Sequence, residues 1–289
     1  MTSRVDEEIY GNICCILQDE GEWLKIRTHY GYIGYVERNN LVRISEIEME
    51  DYFQKNRMVT IPLWLDVLSI PSVKGTCLIT LPSGSVLEVL YSGPECGWSR
   101  VKLPDGGCGF VKSSQLEPWI CGKGYLPEKD AELPFSFDQF LSVHYGGNAD
   151  YFRKKLMEHA CFYLGISYRW GGRSPFGMDC SGLVHTIYRK AGISIYRDAE
   201  VKVGYPVKCI SPQPYSGRQC AEDCREGRIL PGDLLYFTGH VAIYVGNGKY
   251  IHSTAGNGCF SVVINSLFEE SRYFRKDLYE TLYAAGRVC

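Results

Sequence analysis

An internal repeat restricts what the first 120 residues of this 289-residue chain can form. Gly21-Glu22-Trp23-Leu24-Lys25-Ile26-Arg27 returns as Cys96-Gly97-Trp98-Ser99-Arg100-Val101-Lys102, an offset of 75 residues. Twelve residues after each tryptophan comes an aromatic between Gly and Val, in Gly34-Tyr35-Val36 and Gly109-Phe110-Val111. Eighteen after each comes a leucine, Leu41 or Leu116. Self-similarity at a fixed spacing means two copies of one unit. The short apolar runs, broken by Gly, Pro, Asn and Asp, make that unit a β unit. The second copy starts early, at Asp66-Val67-Leu68-Ser69-Ile70-Pro71-Ser72, and continues through Val86-Leu87-Glu88-Val89-Leu90. Trp23 and Trp98 are expected in the core, and Asp105-Gly106-Gly107 in a hairpin turn.

After the repeat, residues 121–148 are punctuated by Pro and Gly. They also carry Phe135, Phe137, Phe140 and Tyr145, which argues for a packed connector rather than a free tether. From Ala149 the pattern turns helical. Asn148 or Asp150 can cap a helix from Tyr151 to about Leu164, with Phe152, Leu156, Cys161 and Leu164 on one face and Gly165 as its stop.

The next stretch carries the chemistry. A glycine-rich loop, Trp170-Gly171-Gly172-Arg173, leads to Asp179-Cys180-Ser181-Gly182, and Leu183, Val184, Ile187, Tyr188 and Ala191 follow at helical spacing. Asp179 is a good N-cap. Cys180 then lies in the first helical turn, where unpaired N–H groups and the positive dipole end lower a thiol pKa. A thiol placed so is a candidate nucleophile, and it needs a base.

Downstream, Pro231-Gly232 leads into a buried strand from Asp233 to Phe237. His240-Val241-Ala242-Ile243-Tyr244-Val245 and Lys249-Tyr250-Ile251-His252 then form a hairpin around Gly246-Asn247-Gly248. With a loop of three or five residues, His240 and His252 share a face at roughly 4.5–8 Å. A two-residue Asn-Gly turn would send them to opposite faces, so the pairing requires the longer loop. His240 is then the base and His252 its orienting partner. A metal site from Cys180, His240 and His252 is the alternative, but no further ligand is evident. Residues 208–228, including Cys220-Ala221-Glu222-Asp223-Cys224, read as a long cysteine-containing loop. His185 points away from the site by its spacing.

Composition limits the function classes. Hydrophobic residues are 45% and charged residues 22%, which fits a globular chain of two or three domains. A net charge of −2 lacks the basic footprint of nucleic-acid binding. No apolar run is long enough to span a bilayer. The polar, acidic start carries no signal peptide, which suits the cytoplasm, or the periplasm or cell envelope if a leader has been removed. Thirteen cysteines, many in apolar strands, favour a reducing compartment.

Taken in order, Tyr168-Arg169-Trp170-Gly171-Gly172, Asp179-Cys180-Ser181-Gly182, Pro231-Gly232-Asp233-Leu234, His240-Val241-Ala242-Ile243-Tyr244-Val245-Gly246 and Ile251-His252-Ser253 resemble the NlpC/p60 family of cell-wall cysteine peptidases. The Gly-Trp, Gly-aromatic-Val and Leu pattern of the repeat resembles bacterial SH3-like (SH3b) domains. The whole chain is similar to γ-D-glutamyl-L-diamino acid endopeptidases of murein peptides. The resemblance implies an α+β fold, a papain-like catalytic domain at 149–289 preceded by two SH3-like β-barrels at 1–60 and 61–120, joined by the connector at 121–148. It assigns Cys180 as nucleophile, His240 as base, His252 as the orienting residue and Tyr168 as an oxyanion donor. Trp170 would line the cleft. Asp179 and Ser181 would contact substrate, Asp179 through the free α-amine of an L-alanine. Tyr32 or Tyr35 and Glu7 or Glu8, from the first SH3-like domain, would help fix that amine. Arg197-Asp198-Ala199 departs from the family pattern, with Tyr196 and Ala199 in place of a proline and a serine.

The expected activity is therefore thiol-dependent hydrolysis of the γ-D-glutamyl bond to diaminopimelate or lysine. It would act on murein tripeptides or tetrapeptides, as a monomer and without cofactor or metal. The alternatives are a peptidoglycan-binding protein with an inert cleft, and an acyltransferase on the same fold.

Overall fold

The computed structural model describes residues 4–93, 97–104, 106–120, 136–211 and 214–289. The chain divides into two compact units, 8–121 and a second made of 1–7 with 122–289. No helix among the described residues is long and apolar enough to cross a membrane.

In the first unit the repeat is visible as structure. Strands Trp23–Thr28 and Ile33–Glu37 and the one-turn helix Arg38–Asn40 recur as Trp98–Lys102, Cys108–Lys112 and Ser113–Gln115. Alternation drives these strands, with Leu24, Ile26 and Thr28 turned inward and the residues between them more open. The first copy is a three-stranded antiparallel sheet, Cys14–Glu20, Trp23–Thr28 and Ile33–Glu37. The second sits in a seven-stranded sheet, in the order Leu116–Pro118, Arg57–Thr60, Val86–Gly93, Trp98–Lys102, Cys108–Lys112, Trp64–Leu68 and Cys77–Pro82. Neither sheet closes into the expected barrel among the described residues. Leu65, Val67, Leu81, Leu87, Val89, Val101, Val111 and Leu116 form the core of the larger sheet. Trp98 lies in the interior, but Trp23 is 39% exposed, against expectation. The helix Glu46–Gln54 is also unforeseen. It fully buries no residue, and it begins on a Ser45–Glu48 capping box. Asp105 lies outside the described residues.

In the second unit, residues 121–135 of the connector, Phe135 among them, lie outside the described residues. The remainder is the helix Phe137–Tyr145, whose Phe137, Phe140 and Tyr145 rings pack on Phe152. Phe152 belongs to the helix Ala149–Cys161, capped by Asn148. That helix buries Phe152, Leu156, His159 and Ala160, while Cys161 and Leu164 are exposed rather than inward. The helix ends at Cys161, so Leu164 lies beyond it, and Cys161, nine residues after Phe152, points to the opposite side of the helix.

A six-stranded sheet forms the centre, in the order Val207–Cys209, Leu282–Val288, Leu234–Phe237, His240–Gly246, Lys249–Thr254 and Ser261–Ser266. Helix Cys180–Lys190 packs on its His240–Gly246 and Lys249–Thr254 strands. Residues 217–225 are a helix, Gly217–Arg225, and not the expected loop. Ser216 caps it, and Cys220 and Ala221 join Leu235, Phe237, Tyr244 and Tyr250 in the core. The i, i+1, i+4 spacing of Cys220, Ala221 and Cys224 was a helical signal that the cysteines disguised.

Candidate active site

The loop before Cys180 is built for close approach. Gly171 has φ +70, and a side chain there would meet the Arg4 and Val5 backbone at 3.0 Å. A Cβ on Gly182 would stand 2.2 Å from the Gly172 carbonyl. The first approach sets the loop against residues 4–6, and the second sets it against the first turn of Cys180–Lys190. Asp179 caps the helix, its Oδ1 accepting the Gly182 amide at 2.6 Å, while its Oδ2 accepts the Gly171 amide at 2.9 Å.

Asp179 does more than cap. Arg197 Nη1 and Nη2 donate to its two oxygens at 3.1 and 3.0 Å. Arg197 Nη1 also donates to Ser181 Oγ at 2.8 Å, and its Nε to Asp6 Oδ1 at 2.7 Å. Arg197 is only 2% exposed. Burial alone would lower its pKa, but Asp6 and Asp179 outweigh that and hold the guanidinium charged. A second buried arginine, Arg173, lies 3.7 Å from Asp6 and 3.2 Å from His185 Nδ1. Its amide donates to Glu7 Oε2 at 2.9 Å. Glu7 and Asp6 thus tie residues 4–7 to the Cys180 loop. Spacing gave no hint of Asp6, which lies 191 positions from its partner.

Cys180 opens the helix and is 8% exposed. Amides of Val241 and Ser181 approach its sulfur. Burial, reinforced by the Asp179 carboxylate, nevertheless pushes the thiol up to about 11. This reverses the depressed pKa expected of a helix N-terminus. The dipole acts at a solvated terminus, but here the thiolate would be dry and next to a carboxylate.

Val241 follows His240, so the contact brings the thiol to the start of the His240–Gly246 strand. His240 Nε2 and His252 Nδ1 are 2.7 Å apart, and the rings cross edge-on at 86°. The hairpin reaches this geometry by an unexpected route. Its connection is the tight Asn247-Gly248 turn, with φ 52 and 69. A bulge between Tyr244 and Gly246 adds the one residue that restores the parity. Ile243 therefore faces Ile251, and His240 lies diagonal to His252 on one face.

His252 is fully buried, and its Nε2 meets Asn265 Oδ1 at 2.8 Å. Asn265 escaped the sequence reading, although an Asn inside the run Val262-Val263-Ile264-Asn265 was a visible anomaly. Tyr168 is half-buried. Burial first, then the nearby Cys180 and Asp179, push its hydroxyl up to about 12, so it stays a donor. Trp170 is 67% exposed, with its carbonyl accepting from Arg4 Nε at 3.1 Å. Tyr32 and Tyr35 belong to the other unit, where the exposed Tyr35 hydroxyl donates to Glu20 at 3.3 Å. His185 is buried, against Arg173. Among the described residues, no group of three His, Cys, Asp or Glu is arranged to hold a metal ion.

Burial lowers His240 to about 3, with His252 and Arg275 adding to the drop and Asp277 opposing it. Burial likewise lowers His252 to about 4, with Arg275 adding and Asn265 and Asp277 opposing. The resting site is thus a neutral thiol beside neutral imidazoles. In the unfolded chain both histidines take protons near pH 6.5. Below that pH the unfolded state binds more protons, so stability is full above about 6.5 and falls towards 4. Each histidine contributes about 1.4 kcal/mol per pH unit in that window. Urea midpoints should fall between pH 6.5 and 5, and replacing His252 by Gln should flatten the decline. Parallel curves for the two proteins would contradict the neutral assignment.

Residues 165–278 match the NlpC/P60 family. A dipeptidyl-peptidase 6 from Lysinibacillus sphaericus is 34% identical over 98% of this chain and 92% of its own length. The γ-D-glutamyl-L-lysine dipeptidyl-peptidase of Bacillus subtilis is 36% identical over 85% of this chain and 70% of its own. A crystal structure of an NlpC/P60 family protein from Bacillus cereus covers 96% of this chain and 80% of its own, with a TM-score of 0.65 at 23% identity.

Proposed function

This chain belongs to the NlpC/P60 family, and we propose that it is a cysteine endopeptidase that cuts the γ-D-glutamyl bond to lysine or diaminopimelate in murein peptides. The observation that carries the reading is the hydrogen-bonded His240–His252 pair at 2.7 Å, with His240 on the strand whose Val241 amide reaches Cys180. The Bacillus subtilis relative, named a γ-D-glutamyl-L-lysine dipeptidyl-peptidase, supports the substrate class.

The steps follow from the neutral resting site. The second ring nitrogen of His240 takes the Cys180 proton as sulfur attacks the γ-glutamyl carbonyl carbon. The oxyanion develops beside the Tyr168 hydroxyl and the Cys180 amide, where preorganised donors contribute several kcal/mol. His252 steadies the imidazolium. The C–N bond breaks, the amine leaves with the proton held by His240, and a thioester remains. Water, deprotonated by His240, then attacks the thioester and frees Cys180.

We further read the catalytic unit as papain-like, and the two sheet repeats as SH3-like units with domain limits near 60, 120 and 148. Ser181, Trp170 and Glu7, with Tyr32 and Tyr35, stand as substrate contacts on the resemblance. Asp179 stands so too, although Arg197 already engages both its oxygens. The enzyme would work in turnover or recycling of wall peptides.

Incubation with L-Ala-γ-D-Glu-diaminopimelate and its lysine counterpart, followed by mass spectrometry, tests the reading. Release of L-Ala-γ-D-Glu is expected. Binding without cleavage would instead mark an inert module, and transfer to an added amine in place of water an acyltransferase. N-acetylating the alanine should slow cleavage at least about tenfold, since a lost charged contact costs upwards of roughly 1.4 kcal/mol. Equal rates on blocked and free peptides would remove the free-amine requirement.

A further inference from the structure

Asn265 takes no part in the steps above, yet it ends the hydrogen-bond chain behind the base. On the Ser261–Ser266 strand, Val263 faces His252 and Asn265 faces Tyr250. Asn265 is therefore diagonal to His252 on the same face of the sheet. Its Nδ2 donates to the Tyr273 carbonyl at 3.1 Å, and its Oδ1 lies 2.8 Å from His252 Nε2.

These two contacts fix protons further along. The Tyr273 carbonyl can only accept, so the NH2 end of Asn265 must face it and the oxygen must face His252. An amide oxygen cannot donate, so His252 Nε2 carries a hydrogen. Since burial keeps the His252 ring neutral, its Nδ1 is bare and must accept from His240 Nε2. His240 then holds its hydrogen on Nε2, which leaves the lone pair on Nδ1.

We propose that Asn265 is a positioning residue that sets the tautomers of both histidines and thereby makes Nδ1 of His240 the proton acceptor for Cys180. Without the amide oxygen, His252 is free to move its hydrogen to Nδ1. His240 must then turn its Nε2 lone pair towards His252 and carry its own hydrogen on Nδ1, where it can no longer act as base. A wrong tautomer at an otherwise intact triad is costly in rate. The kinetic consequence rests on the thiol-peptidase reading, whereas the tautomer assignment does not.

The test has two arms. Long-range 1H–15N correlation spectra of histidine-labelled protein, assigned by single histidine substitutions, report each ring. His240 and His252 should both show hydrogen on Nε2. Asn265→Leu should weaken or reverse that pattern and lower kcat by about tenfold to hundredfold, with KM within about twofold. Asn265→Asp, which keeps an acceptor, should restore the pattern and most of kcat. A wild-type His252 with its hydrogen on Nδ1 would overturn the inference, as would an Asn265→Leu enzyme with unchanged kcat. If the wild type cleaves no peptide, the functional reading fails and the spectra still decide the tautomers. Should Asn265→Leu not fold, the wild-type spectrum decides alone.

Discussion

Replacing Cys180 by alanine should reduce peptide hydrolysis to background while leaving the fold in place. Loss of a covalent nucleophile removes a whole reaction path, and such losses reach about 10^6 in kcat. The fold should tolerate it because one sulfur atom goes, together with its contacts to the Val241 and Ser181 amides. A lost hydrogen bond of this kind costs about 1 kcal/mol. Hydrolysis followed by mass spectrometry and thermal unfolding followed by circular dichroism would measure both parts. Cys180→Ser is a stricter probe, since a hydroxyl fills the same space but is a poorer nucleophile. Turnover above about one part in a hundred in Cys180→Ala would mean that another group attacks the carbonyl and that the histidine pair serves something else.

Arg197→Met should produce the largest loss of stability. Arg197 is 2% exposed, and its partners Asp6 and Asp179 are 10% and 8% exposed at their side chains. Removing the guanidinium leaves Asp179 without its bidentate partner and Asp6 without its 2.7 Å contact to Arg197. Breaking a buried pair from one side costs about 3–5 kcal/mol, because the remaining charge stays out of water and loses its counter-ion. In a unit of this size that corresponds to a fall in Tm of roughly 6–20 °C. Adding Asp6→Asn to Arg197→Met should recover part of the loss, since it removes one of the stranded charges. If the single variant melts within about 2 °C of the wild type, the cluster is hydrated and its contacts contribute little. Activity should fall alongside, because Asp179 caps the helix that carries Cys180.

Several expectations met a different outcome for identifiable reasons. The helix at 217–225 was hidden because two cysteines suggested a loop, although their spacing already suited one helix face. Trp23 looked equivalent to Trp98 in the repeat, yet the two copies sit in sheets of different size, and only Trp98 is covered. The histidine pairing called for a loop of three or five residues, yet the hairpin has the tight Asn247-Gly248 turn. The bulge between Tyr244 and Gly246 is set by pairing with the next strand, which no turn rule reports.

The sequence by itself determined the local and periodic features. These are the 75-residue repeat, the Asp179 cap with Cys180 in the first turn, and the strands that carry His240 and His252. Each depends on neighbours within a turn or a strand, so residue order is enough to specify it. Only the tertiary structure decided the electrostatics. The rise of the thiol to about 11, the Asp6–Arg197–Asp179 cluster and the place of Asn265 behind His252 all depend on burial and on contacts between distant parts of the chain. A pKa follows from what surrounds a group in space, and a donor's orientation from its acceptor. Neither surroundings nor acceptor is encoded at the position itself.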